Sequence, residues 1–215
     1  MRLKSLKENL HILMASLFKW QKVVVLTAVV LLCIGCSSVP NISYNPWQTV
    51  SVPVETNLQD ISFTDDQQHG WLVGSKSTLL ETTDGGKTWQ QKNLDLGDQN
   101  YLLSSVSFSG QEGWIVGEPA LLLHTTDGGK TWNRVALSAK LPGNPNTIVA
   151  LGPQSAEMTT DIGAIYRTTD GGQNWKAMVQ EAVGVLRNIS RSPDGKYIAV
   201  SAKGNFYSTW EPGMT

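Results

Sequence analysis

Cysteine is nearly absent from this sequence: of 215 residues only Cys33 and Cys36 carry a thiol, so no disulfide framework holds the body of the chain. Histidine is as scarce. His11, His69 and His124 are the whole complement, at no spacing a zinc site uses, and no HExxH stretch is present. Neither a metal nor a cofactor is expected. Long apolar runs are missing too, apart from residues 23–35, which are too short to span a bilayer. An excess of positive charge is lacking where a nucleic acid would need it. Five basic residues and one acid precede Cys36, which leaves 12 basic and 17 acidic residues for the rest. A body of that sign excludes bulk nucleic-acid binding.

What is present is a repeat. The letters TTDGGKTW stand at residues 82–89 and again at 125–132, and TTDGGQNW stands at 168–175, each 43 residues after the last. A period in the forties with one turn-rich signature per unit marks a repeat array. Each copy lies between two strand-like runs, so Asp-Gly-Gly reads as a hairpin turn whose glycines supply positive φ. The Asp side chain can accept backbone N–H bonds across the turn, and the closing Trp is an apolar anchor between units.

These letters resemble the Asp-box of BNR-type β-propellers. Its structural positions are Asp84, Gly86 and Trp89, then Asp127, Gly129 and Trp132, then Asp170, Gly172 and Trp175, with Asn174 where Thr is usual. The expected fold is all-β, a propeller of about four blades over residues 46–215. First strands are expected to centre on Ile61, Val106, Ile148 and Ile189, and second strands on Trp71, Trp114, Met158 and Ile198. The fourth unit is degenerate, with YSTWEPGMT in place of the box. Either residues 46–53, around Trp47, form a strand that completes it as a four-bladed ring, or the chain is a fragment of a longer propeller. We favour the fragment, because wide blades usually need more than four to close without strain.

Residues 1–35 read as an export signal: a basic stretch to Lys22, an apolar run, and then Leu31-Leu32-Cys33-Ile34-Gly35-Cys36. That ending resembles a bacterial lipobox, with Cys33 where Leu is usual. It makes Cys36 the lipidated N-terminus, and residues 36–45 become a tether; an uncleaved anchor is the alternative.

Asp-boxes occur in enzymes and non-enzymes alike, so the fold does not choose a function. A sialidase needs an arginine triad with a Tyr–Glu nucleophile pair, and after the leader only Arg134, Arg167, Arg187 and Arg191 remain. No catalytic residue is assigned. Asp60, Asp65 and Asp66 read as a solvated turn-side cluster. Arg191 breaks the repeat, standing two residues after the central aliphatic where Phe63, Phe108 and Ala150 are apolar. An Arg there either snorkels to the ring face or is kept for a partner, in which case its charge is spare for the fold. With Arg187, Lys196 and Lys203 it forms the candidate partner-binding set, against the plainer reading of a solvated face.

The whole combination, a lipobox leader, PWQTVSVP, two GW-initiated units ending in TTDGGKTW, and SPDGKYIAVSAKGNFYSTWEPG, resembles the photosystem II assembly and stability factors of cyanobacteria and plastids. The resemblance implies a seven-bladed ring in longer chains and no catalysis. It implies binding of the newly made photosystem II reaction-centre core subunit, its precursor and early assembly intermediates. It also implies a lipid-anchored place on the lumenal side of the thylakoid membrane or the periplasmic side of the plasma membrane. Arginines on one propeller face are implicated in that binding, which is what recommends Arg187 and Arg191. A glycosidase and a glycan-binding or scaffold lipoprotein are the alternatives.

Overall fold

The computed structural model describes residues 46–179, 186–201 and 206–210. Each repeat unit folds as an antiparallel meander, because its short apolar or alternating runs are separated by Gly-, Asp- and Ser-containing turns. The first blade takes β1 (Leu58–Phe63), β2 (Gly70–Gly74), β3 (Leu79–Thr82) and β4 (Gln90–Lys92) in sequential order. The second repeats this with β5 (Leu102–Ser109), β6 (Glu112–Glu118), β7 (Leu121–Thr125) and β8 (Asn133–Arg134). The third has β9 (Pro145–Gly152), β10 (Ser155–Thr160), β11 (Ile165–Thr168) and β12 (Lys176–Val179). The fourth comprises β13 (Leu186–Arg191), β14 (Tyr197–Ser201) and β15 (Phe206–Trp210), three strands among the described residues. The all-β blade architecture read from the repeats is the one observed. Residues 46–53, expected to form a closing strand, lie in no strand here. Pro46 and Pro53 each withhold a ladder donor from such a strand.

The cores lie between blades. Trp71, Val73 and Leu79 of the first blade bury against Leu103, Val106, Ile115 and Leu123 of the second. Trp114, Val116 and Leu122 of the second bury against Ile148, Ala156 and Met158 of the third. Alternation along each second strand decides which neighbour a residue meets. Trp71 pairs across its sheet with Ser62 and Glu81, Trp114 with Ser107 and His124, and Glu157 with Val149 and Arg167. Glu157, rather than Met158, therefore holds the Trp position of the third blade. Met158 corresponds to Leu72 and Ile115, on the opposite face of the strand.

First strands of neighbouring blades are stitched by side chains. Asp60 Oδ2 accepts from Ser105 Oγ at 2.7 Å and from the Val106 backbone N–H at 3.0 Å. Ser107 Oγ accepts from the Ala150 N–H at 3.0 Å. Asp60 is thus an inter-blade acceptor, which corrects its reading as a merely solvated acid; the edge of a short twisted strand leaves donors that the adjacent blade must satisfy.

Candidate functional site

The three Asp-box hairpins build the same hydrogen-bond cage. Thr82 Oγ1 donates to Asp84 Oδ1 at 2.8 Å and accepts from the Gly86 N–H at 2.9 Å. Asp84 in turn accepts from the Thr88 N–H at 2.9 Å and the Thr88 hydroxyl at 2.6 Å. Thr125, Asp127, Gly129 and Thr131 reproduce this in the second blade. In the third, the Asn174 amide takes the hydroxyl's place, donating to Asp170 Oδ2 at 2.8 Å. Hydrogen bonds led by the Thr88 hydroxyl pull the Asp84 carboxyl down to about 2, and Thr131 does the same for Asp127. Each hairpin docks on the first turn of its own blade. The Gly85, Gly128 and Gly171 N–H groups donate to the carbonyls of Gln68, Gln111 and Gln154, all at 2.9 Å.

The second box glycine has a further role at the seams. A Cβ on Gly129 would lie 2.3 Å from the Trp71 ring, and one on Gly172 would lie 3.2 Å from the Trp114 ring. Each second-strand Trp is a knob seated on the next blade's box, edge to face with its Trp. Trp71 lies 6.0 Å from Trp132, and Trp114 lies 6.1 Å from Trp175. Trp71 also stacks on Phe108 of the next first strand at 6.0 Å.

Between the third and fourth blades the same two positions are charged. Glu157 stands where Trp71 does, and Arg191 stands where Phe108 does, so an ion pair replaces an aromatic stack. Arg191 Nε donates to Glu157 Oε2 at 2.8 Å, and the Tyr197 hydroxyl donates to the same oxygen at 2.7 Å. Arg167, from the adjacent strand β11, donates through Nε to Oε1 at 2.7 Å and closes a second contact through Nη2. Burial alone would raise the Glu157 carboxyl. Hydrogen bonds from Tyr197, Arg191 and Arg167 outweigh it and hold the group below the usual range. Tyr197 is pushed well above its ordinary value by burial and by the carboxylate it faces.

Such a cluster ties the third blade to the fourth. Glu157 is enclosed, deprotonated and already bonded by three side chains, so it is no general acid and no nucleophile. Two guanidiniums on one carboxylate leave one net positive charge. Arg167 carries it outward, its side chain 38% exposed against 15% for Arg191. Among the described residues no group of three or more His, Cys, Asp or Glu could hold a metal ion.

The candidate residues fall in different places. Arg191 is engaged at the seam, which corrects the expectation that its charge is spare for the fold. Lys196 is half-exposed and pairs with Asp194 at 3.3 Å. The backbone of Arg187 belongs to β13, while its side chain, Lys203 and Cys36 lie outside what the structure describes. Arg167 and Glu157 were missed by the sequence reading. The signal was available: 43 residues after Trp114 stands Glu157, and 43 after His124 stands Arg167.

Comparison with known proteins adds an independent line. Residues 39–215 match the family described as "Photosynthesis system II assembly factor YCF48". The "Photosystem II assembly lipoprotein Ycf48" of Synechocystis is 69% identical over 195 residues, 91% of this chain and 57% of that protein. The solved structure "YCF48 bound to D1 peptide" is 57% identical with a TM-score of 0.78, covering 83% of this chain and 59% of that one. "YCF48 from Cyanidioschyzon merolae" is 46% identical with a TM-score of 0.73, covering 78% of this chain and 57% of its own. This chain therefore spans less than two thirds of the length of these relatives. With the Asp-box blades, the matched span and these identities together, the chain belongs to the Ycf48 family of photosystem II assembly factors.

Proposed function

We propose that this chain is a non-catalytic assembly factor that binds the D1 reaction-centre subunit of photosystem II, its precursor and early assembly intermediates. The observation that carries the reading is the likeness to a family member solved with a D1 peptide, at 57% identity and a TM-score of 0.78. The binding surface is the cationic end of the chain. Residues 176–215 hold five basic and three acidic groups, whereas residues 36–175 hold seven and fourteen. Arg191, Lys196, Arg187 and Lys203 contribute to it, and Arg167 adds the outward-facing guanidinium at Glu157. A lipid on Cys36 holds the protein on the lumenal thylakoid face or the periplasmic face, where it meets newly inserted subunits.

The test is binding of the full chain to a D1 peptide across a salt series. Removing Arg191 alone would strand a buried carboxylate, so the charge of the cluster is removed as a unit with Glu157→Gln, Arg167→Gln and Arg191→Gln together. Affinity of the unmodified protein should fall as salt rises, and the triple variant should bind at least tenfold more weakly with a shallower salt dependence, since Arg187, Lys196 and Lys203 remain. Unchanged binding by a folded triple variant would remove the cluster from the surface, and absence of peptide binding by the unmodified chain would remove the partner.

A further inference from the structure

At or beside the knob position of each of the first three blades stands an enclosed carboxylate, and the three joints differ in the cation that answers it. In the first blade it is Glu81, cross-strand from Trp71, and it meets His69 Nε2 at 2.7 Å and the Lys92 ammonium. In the second it is Glu112, on the same strand as Trp114, and it meets His124 Nε2 at 2.6 Å. In the third it is Glu157, shared by Arg167 and Arg191. His69 and Glu112 are 43 residues apart, and so are Glu81 and His124. The same two repeat positions therefore hold the same two residue types in exchanged order. One period after His124 stands Arg167.

The middle joint is the one whose cation can be switched off. Lysine and arginine keep their charge through the neutral range, whereas an imidazole exchanges its proton between about pH 5 and 8. Among the described residues His124 is the one ion-pair partner of Glu112. Both side chains are 12% exposed. Glu112 Oε1 also accepts from the N–H of Gln154 in the third blade at 2.8 Å, and the Gln154 carbonyl accepts from the Gly171 N–H of the third box at 2.9 Å. The His124 ring lies flat on the Trp114 knob, with centroids 3.7 Å apart and planes 17° from parallel. A Cβ on Gly171 would stand 3.8 Å from His124 Cε1, so the ring reaches the next blade as well. The other groups at this joint add no charge. Asn133 is opposite His124 on β8, and the Asp170 carboxylate of the facing hairpin is turned to Thr168 and Asn174.

We propose that the joint between the second and third blades is a proton-dependent clasp, in which a charged His124 ring fastens Glu112, and through it Gln154, more tightly than a neutral one. Nε2 faces a carboxylate, so it carries hydrogen in both charge states and the added proton goes to Nδ1. The added charge meets the Glu112 carboxylate at 2.6 Å and the face of the Trp114 indole, both of which attract it. Enclosure keeps water from screening that attraction. The sign follows from the attraction: the clasp is tightest where the ring holds its second proton and loosens as pH rises and that proton leaves. The first joint has no such dependence, because Lys92 gives Glu81 a permanent cation. Burial alone would raise the Glu81 carboxyl, and hydrogen bonds from Lys92 and His69 outweigh it and hold the group below the usual range.

The experiment is amide hydrogen exchange of the full chain at pH 5.5 and pH 8, each rate divided by the intrinsic rate at that pH. The Gln154 and Gly171 N–H groups report the middle joint, and the Gly128 N–H, on the Gln111 carbonyl, reports the same hairpin position one blade earlier. Protection at Gln154 and Gly171 should be at least threefold higher at pH 5.5, with Gly128 unchanged. A threefold change moves the melting temperature of a domain this size by only about two degrees, so exchange resolves it where melting does not. His124→Gln removes the titration and should give equal protection at the two pH values, at the lower level. His124→Arg installs the third blade's residue and should give equal protection at the higher level. His69→Gln should leave the difference at Gln154 intact. Equal protection in the unmodified protein at both pH values overturns the proposal. So does a difference that survives in folded His124→Gln or vanishes in folded His69→Gln. If circular dichroism shows the His124→Gln variant unfolded, His124→Arg decides, and a pH difference remaining in it overturns the proposal.

Discussion

The Asp84 and Asp127 carboxylates face water, yet each accepts hydrogen bonds from both the hydroxyl and the N–H of the Thr four residues on. Those bonds favour the ionised form, which is why both groups titrate near 2 in the folded protein against 3.8 ordinarily. A carboxyl depressed on folding contributes stability that is complete above its unfolded value and is lost as pH falls through the folded one. The melting temperature should therefore hold steady down to about pH 4 and decline steeply from there toward pH 2. Asp84→Asn with Asp127→Asn should melt lower at neutral pH and show a shallower acid decline than the unmodified protein. Parallel acid curves for the two proteins would mean that other carboxylates set the acid limit. Asp170 belongs to the same class, lowered chiefly by the Asn174 N–H. Asn in place of Thr preserves both donors, so the third box departs from the pattern in letters and keeps its cage.

At the scale of strands and blades, the sequence disclosed the repeat and concealed what the repeat meets. Turn chemistry is local, so three boxes at constant spacing announced three hairpins and, with the runs between them, four sheets. The first strands centred where expected. The second strand of the third blade, β10, also centred on Met158 as expected, but within it Glu157 holds the register position of Trp114. A buried carboxylate is unexpected without its partners, and those lie 10, 34 and 40 residues away, in β11, β13 and β14. The seam exchange of Trp and Phe for Glu and Arg makes a sharp prediction. Arg191→Leu alone leaves a buried charge short of a partner and should cost about 3 kcal/mol, and Glu157→Met should cost a comparable amount. Together they give an apolar seam and should be less harmful than the sum by about 1–3 kcal/mol, measured by denaturant unfolding. Strict additivity would show that the two side chains meet without sharing energy.

For the whole molecule the decisive question is where it is held, and that turns on residues 1–45. The apolar run of residues 23–35 gives 13 residues, and a helix needs about 20 to cross the hydrocarbon core. Among the described residues no helix is long and apolar enough to cross a membrane. An anchor of acyl chains on Cys36, as proposed above, fits this, since one buried methylene contributes about 0.8 kcal/mol and a single chain binds only reversibly. Cys36 is the one cysteine preceded by a small residue, Gly35, in a lipobox-like ending, and Ser37 and Ser38 follow it. Cys36→Ser removes the thiol that would carry the lipid and leaves the blades untouched. The variant should shift from the membrane fraction to the soluble one on gentle lysis, with its melting temperature unchanged within a degree or two. The companion change Cys33→Ser separates the two thiols and should leave the protein with the membrane. If Cys36→Ser remains membrane-bound at full precursor mass, residues 1–35 are an uncleaved anchor, and the lipid assignment fails while the blade assignments stand.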